Sequence, residues 1–252
     1  MTSWFRTLTP DRAAGLRLYC FPHAGGSAGA FAPLAATLAG GSPAGPAVAV
    51  AAAQYPGRQD RYRERAWEDI GAIADVLAAE IRARDEAVPY ALFGHSMGAL
   101  IAYETARRLE RLPGAGPARL FVSGRDAPTT GPLATDRVRD DEALLAHIRR
   151  LGGTGSRVLD EPELMAMALP ALRADYAALS AYVWSPGEPL SCPLTVLVGD
   201  ADPLVTGAGA AAWRRLSAAA TDIRLLRGGH FCLDDCREEV ASLVRDALPA
   251  PV

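Results

Sequence analysis

Residues 90–100, Tyr-Ala-Leu-Phe-Gly-His-Ser-Met-Gly-Ala-Leu, constrain the fold of this chain more than any other stretch. The apolar run 90–93 predicts a buried strand, Gly94-His95-Ser96-Met97-Gly98 a tight turn, and residues 99–109 carry helical periodicity. Strand, turn and helix in that order form an elbow that lifts a serine hydroxyl above a sheet edge. Gly94 and Gly98 fall where a side chain would collide with the neighbouring strand and helix. The Met97 N–H, first in the helix, then faces the place where an oxyanion would form. Ser96 is the expected nucleophile.

A second match to the same spacing, Gly25-Gly26-Ser27-Ala28-Gly29, lies near the start of the chain. Pro22-His23-Ala24 separates it from the strand predicted over 16–21, and only one strand precedes it. An elbow in a doubly wound sheet follows a central strand, which needs others laid down before it. Context therefore selects Ser96 over Ser27.

Further strands are predicted over 48–54, 120–123, 194–198 and 223–226, with helices over 31–38 and 69–84. This alternation predicts an α/β fold with a mostly parallel, doubly wound sheet, in a single domain over 1–252. It breaks at about 128–189, where helical patterns over 140–150, 161–169 and 171–184 have no strand between them. The segment is more apolar than a surface insertion requires. One reading is a small helical packing unit; the other is a lid over an acyl pocket, with Met165, Met167 and Tyr176 on the substrate side.

Serine needs a base to take its proton, and an imidazole needs a carboxylate to fix its tautomer. Of the four histidines, His95 lies in the elbow, His23 in the loop after the first strand and His147 in the insertion. Only His230, after the last strand, keeps the order serine, acid, histidine. The strand 194–198 runs into Gly199-Asp200-Ala201-Asp202-Pro203. Asp202 is the expected acid, because a residue before proline is held extended; Asp200 is the alternative. Ala24, in the glycine-rich loop, offers the second oxyanion N–H, and His23 beside it is placed at the substrate site.

A net charge of −3 argues against a nucleic-acid partner, and with no lysine among 26 basic residues, lysine catalysis is excluded. Cys20, Cys192, Cys232 and Cys236 read as reduced thiols, and neither a metal nor a cofactor is expected. No signal-peptide pattern fits residues 1–17, and no apolar stretch suits a membrane span. A cytoplasmic monomer is the expectation.

Phe21-Pro22-His23-Ala24-Gly25-Gly26-Ser27, Tyr55-Pro56-Gly57-Arg58, Gly94-His95-Ser96-Met97-Gly98, Leu172-Arg173-Ala174-Asp175, Gly199-Asp200-Ala201-Asp202 and Gly229-His230-Phe231 are motifs spread along nearly the whole chain. Together they resemble the type II thioesterases of polyketide and nonribosomal peptide synthesis. The resemblance implies an α/β-hydrolase fold with a helical lid. It also implies hydrolysis of stalled or aberrant acyl groups from the phosphopantetheine arm of an acyl or peptidyl carrier protein. A carboxylesterase or acyl-CoA thioesterase on small soluble substrates would use the same triad and is the alternative. The basic stretch 58–65 is read either as steering an acidic carrier protein or as a loop with internal ion pairs.

Overall fold

In the computed structural model, described over residues 3–9, 14–40, 47–84, 88–111, 114, 116–137, 140–152 and 161–246, the apolar runs are strands and the 3.6-residue patterns are helices. The strands are β1 (Phe5–Thr7), β2 (Ala14–Phe21), β3 (Ala47–Ala53), β4 (Tyr90–His95), β5 (Arg119–Ser123), β6 (Leu194–Gly199) and β7 (Thr221–Leu226). Among the described residues they make one sheet in the order β1-β3-β2-β4-β5-β6-β7. Every pairing is parallel except β1 with β3. The predicted α/β architecture is the observed one.

Helices cover both faces, as the near-continuous apolar strands of a parallel sheet require. α2 (Ile70–Ala83) and α3 (Met97–Leu109) pack on one side with Tyr19, Phe21 and Leu92. On the other side α1 (Ala32–Ala39) packs with Leu16, Leu18, Cys20 and Phe93. The alternation of β2 residues between two cores is the period of two made visible. Asp69 caps α2 by accepting from the Ala72 N–H at 3.0 Å.

Three features differ from the sequence reading. Strand β1 was not predicted, because three residues carry no measurable alternation; its antiparallel pairing with β3 places it at the sheet edge. Within 128–189, α4 (Asp141–Leu151) matches its prediction, but the helices predicted over 161–169 and 171–184 are one, α5 (Pro162–Ala181). It runs through Pro170, which cannot donate to the Ala166 carbonyl. Met165, Leu172, Tyr176 and Leu179 are buried on either side of the proline, so core packing outweighs its cost. Finally, α6 (Gly207–Ala212), α7 (Cys232–Asp235) and α8 (Arg237–Asp246) were not anticipated; α8 buries Val240, Ala241 and Val244 in the core that holds α1. Residues 41–46, between α1 and β3, lie outside the described residues. Among the described residues no helix is long and apolar enough to cross a membrane.

Candidate active site

The elbow forms where β4, central in the sheet, passes into α3. Ser96 takes φ 55° and ψ −117°, a strained backbone for a residue with a side chain. Its N–H donates to the Ser123 carbonyl at the end of β5 at 2.8 Å, and its carbonyl accepts from Ala99 at 2.9 Å. The turn is tight enough to exclude side chains at both glycines. A Cβ on Gly94 would lie 2.2 Å from the Gly98 carbonyl oxygen, and one on Gly98 would lie 1.9 Å from that of Phe21. Met97, as the first residue of α3, has an N–H with no partner inside the helix.

His230 and Asp202 come from the loops after β7 and β6, at the same carboxyl edge of the sheet. His230 Nδ1 and Asp202 Oδ2 are 2.9 Å apart, and both residues are buried. The other Asp202 oxygen, Oδ1, accepts from the Leu204 N–H at 2.9 Å, so the carboxylate is fixed from two directions. Asp200 points elsewhere and accepts from the Gly228 N–H. Ser27, by contrast with Ser96, has an extended backbone at φ −124°, and its hydroxyl accepts from Gln59 Nε2 at 2.7 Å.

A cavity of about 390 Å³ connects these groups. Ser96, His230, His23, Ala24 and Phe231 line it, together with Met165, Met167, Leu172 and Tyr176 of α5. All the residues singled out by sequence for substrate binding therefore meet in one space. Met165 and Tyr176 are buried there, whereas Met167 is 62 % exposed and stands at the rim.

The imidazoles crowd around His230. The His95 ring lies 5.0 Å from that of His230, and His23 lies 4.9 Å from the ring of Phe231. Burial, with the His230 and Arg58 charges adding to it, pushes His23 from 6.5 down to about 4. Burial first, then the charges of His230 and His23, hold His95 well below its ordinary value. Both are neutral at pH 7. His147 of α4 is buried with its ring 6.0 Å from Tyr176. Among the described residues no cluster of His, Cys, Asp and Glu could hold a metal ion.

The basic stretch 58–65 is half interior. Arg58 is buried and bonds both carboxylate oxygens of Asp175, at 2.9 and 2.8 Å. Arg61 is buried, donating to Glu64 and to the Gln54 carbonyl and lying 4.6 Å from the Trp4 ring centre. Of the two readings of this stretch, the Arg61–Glu64 ion pair inside it favours a loop with internal pairs, and of its four arginines only Arg63 and Arg65 face solvent. The pairing of Arg58 with Asp175 was missed, although each sat in a motif already singled out.

A family model described as "Thioesterase domain" matches residues 16–248. Among curated proteins, the chain is 43% identical to a probable cadicidin biosynthesis thioesterase of Streptomyces griseus, over 97% of this chain and 66% of that one. It therefore spans just under two thirds of that relative's length. It is 41% identical to thioesterase PikA5 of Streptomyces venezuelae, over 97% of this chain and 85% of that protein. Among solved structures, the type II thioesterase BorB of a borrelidin biosynthetic cluster superposes with a TM-score of 0.87 at 42% identity, over 98% of each chain. The sheet order, the elbow after a central strand and these likenesses agree, and the chain belongs to the thioesterase domain family, with the α/β-hydrolase fold.

Proposed function

We propose that this chain is a type II thioesterase that hydrolyses acyl groups from the phosphopantetheine arm of carrier proteins in polyketide or nonribosomal peptide synthesis. Ser96 is its nucleophile, His230 its base and Asp202 the carboxylate behind the base. The observation that carries the roles is the buried 2.9 Å contact of His230 Nδ1 with Asp202, on an imidazole that opens with Ser96 onto one cavity.

In this reading Asp202 holds the tautomer with the proton on Nδ1, so Nε2 takes the Ser96 proton as Oγ attacks the thioester carbonyl. The oxyanion is held by the Met97 and Ala24 N–H groups. The C–S bond then breaks, and the pantetheine thiolate takes the proton from His230. A thiol leaves with little acid help compared with an alcohol, its pKa being about 8.5. Water, deprotonated by His230, releases the acid from the acyl-serine. The helical segment within 128–189 acts as the lid, and the apolar wall given by Met165, Leu172 and Tyr176 receives the acyl chain. The chain works as a single-domain cytoplasmic monomer.

The test offers acylated carrier proteins, the same acyl groups on CoA, and soluble esters, and follows each by intact-mass spectrometry. Fastest release from carrier proteins, abolished in Ser96→Ala, is the expected result. Equal or faster turnover of soluble esters would move the assignment to a carboxylesterase.

A further inference from the structure

Asp175 lies in the middle of α5, yet its carboxylate is spent entirely on other segments. Oδ2 accepts the Gly25 N–H at 2.7 Å, and both oxygens hold the Arg58 guanidinium. Arg58 Nη1 also donates to the Gly26 carbonyl at 3.0 Å. Gly26 in turn closes a turn on His23, its N–H donating to the His23 carbonyl at 2.9 Å. Ala24 sits inside that turn. Its flanking peptides are pinned, one by the turn and the other by Asp175. Leu172, one helical turn before Asp175, lies directly over Gly25: a Cβ there would meet its side chain at 2.6 Å.

We propose, resting on the assignment of Ala24 as an oxyanion donor, that Asp175 is a positioning residue. Through Gly25 and Arg58 it sets the direction of the Ala24 N–H, so the oxyanion hole is complete only while the second half of α5 is docked. A bidentate pair between arginine and carboxylate fixes orientation as well as distance, which a hole of this kind requires. The pair is buried at both ends, with Arg58 7 % and Asp175 1 % exposed, so solvent does not loosen it. The latch also divides the helix. After Pro170, Asp175 and Leu172 tie α5 to the loop, and past its end Tyr182 donates to Glu104 of α3. Before Pro170, Leu164 and Met167 are 49 % and 62 % exposed.

The experiment replaces the pair by apolar residues of similar size, Arg58→Met with Asp175→Leu, a change that buried ion pairs often tolerate. Arg58→Lys is the milder variant, since an ammonium cannot span two carboxylate oxygens in a planar fork. Folding is gated by melting temperature and near-ultraviolet circular dichroism. Loss of one aligned oxyanion donor predicts a fall in kcat on the order of 10²-fold for the double variant and about tenfold for Arg58→Lys, with KM within about threefold. Affinity for an alkyl trifluoromethyl ketone, whose adduct carries an oxyanion, should fall in parallel, while S-hexyl-pantetheine binds as before. A folded double variant with kcat within about threefold of the parent overturns the proposal. So does a loss confined to KM with ketone affinity kept, which would make the pair a wall of the acyl site. If the double variant does not fold, Arg58→Lys decides by the same readouts, and its unchanged kcat and ketone affinity overturn the proposal. Ser96→Ala in an otherwise unchanged chain separates failure of this proposal from failure of the proposed function: a trifluoromethyl ketone adduct that survives it would remove the serine assignment, whatever Asp175 does.

Discussion

Asp200 and Asp202 leave the same strand two residues apart and turn to different partners, Asp200 to the Gly228 N–H at 2.8 Å and Asp202 to His230 Nδ1 at 2.9 Å. The first bond ties two loops together; the second orients an imidazole. Asp202→Asn should therefore lower kcat by about 10⁴-fold through the wrong tautomer. Asp200→Asn, whose amide oxygen can still accept from Gly228, should lower it less than about tenfold. Steady-state rates on one acyl thioester decide, and reversed magnitudes would make Asp200 the acid.

Ser96 carries both strain and proposed chemistry, and the two can be separated. Ser96→Gly removes the nucleophile and relieves the backbone at φ 55°. It should abolish turnover while stabilising the fold by about 1 kcal/mol, a rise of about 2–4 °C in Tm. Ser27→Ala should change turnover by less than about threefold, because its backbone is extended and its hydroxyl accepts from the Gln59 amide. A fluorophosphonate adduct mapped to Ser27 would contradict both expectations.

Acid should weaken the fold through His23 and His95. Both have folded values depressed below 6.5, so the unfolded chain binds their protons more readily. This contribution to stability is fully present above pH 6.5 and is lost as pH falls from there toward about 4, where His23 itself protonates. His23→Gln should flatten the dependence of the urea midpoint on pH between 4.5 and 7. A slope unchanged by that substitution would assign the acid sensitivity to other groups.

The two methionines of α5 should act differently. Met165 is 9 % exposed on the cavity wall and Met167 is 62 % exposed at the rim. Met165→Phe should shift preference toward shorter acyl chains, while Met167→Phe leaves the preference within about twofold. A chain-length series on one carrier protein measures this. A lowered Tm in Met165→Phe with unchanged preference would make the residue a packing element alone.

The half-interior basic stretch predicts a split between neighbouring arginines. Arg61→Glu places a charge beside Trp4 and Gln54 and leaves Glu64 repelled, which should cost about 3 kcal/mol or more and lower every activity through folding. Arg63→Glu, on the surface against Tyr62, should leave Tm unchanged and slow only the reaction with carrier proteins, by a factor that shrinks as salt is added. Equal effects of the two substitutions on Tm would contradict the burial difference.

What the sequence made legible is what local rules govern. The elbow at Ser96 and the strand end that carries Asp200 and Asp202 are each read from residues within a few positions of each other, and the order of serine, acid and histidine from the order of strands along the chain; the structure forms the elbow and sets Asp202 beside His230. Period-two and period-3.6 patterns located the sheet and the main helices for the same reason. Arg58 and Asp175 lie 117 positions apart, and nothing short-range in either motif announces its partner. Arg61 misled because charge in a sequence reads as surface, while here a cation over an indole is interior. Pro170 misled in the opposite direction: a local breaker was overruled by contacts made elsewhere.

The contact of Gly98 with Phe21 has a consequence for tolerance to change. The two proposed oxyanion donors, Met97 and Ala24, belong to chain segments whose main chains touch at that glycine, where even a methyl group would stand 1.9 Å from a carbonyl oxygen. Both partners are backbone, so no rotamer can yield. The missing side chain thus works as a spacer gauge: any residue but glycine must wedge α3 away from β2, widening the gap between the donors beyond the reach of a single oxygen atom.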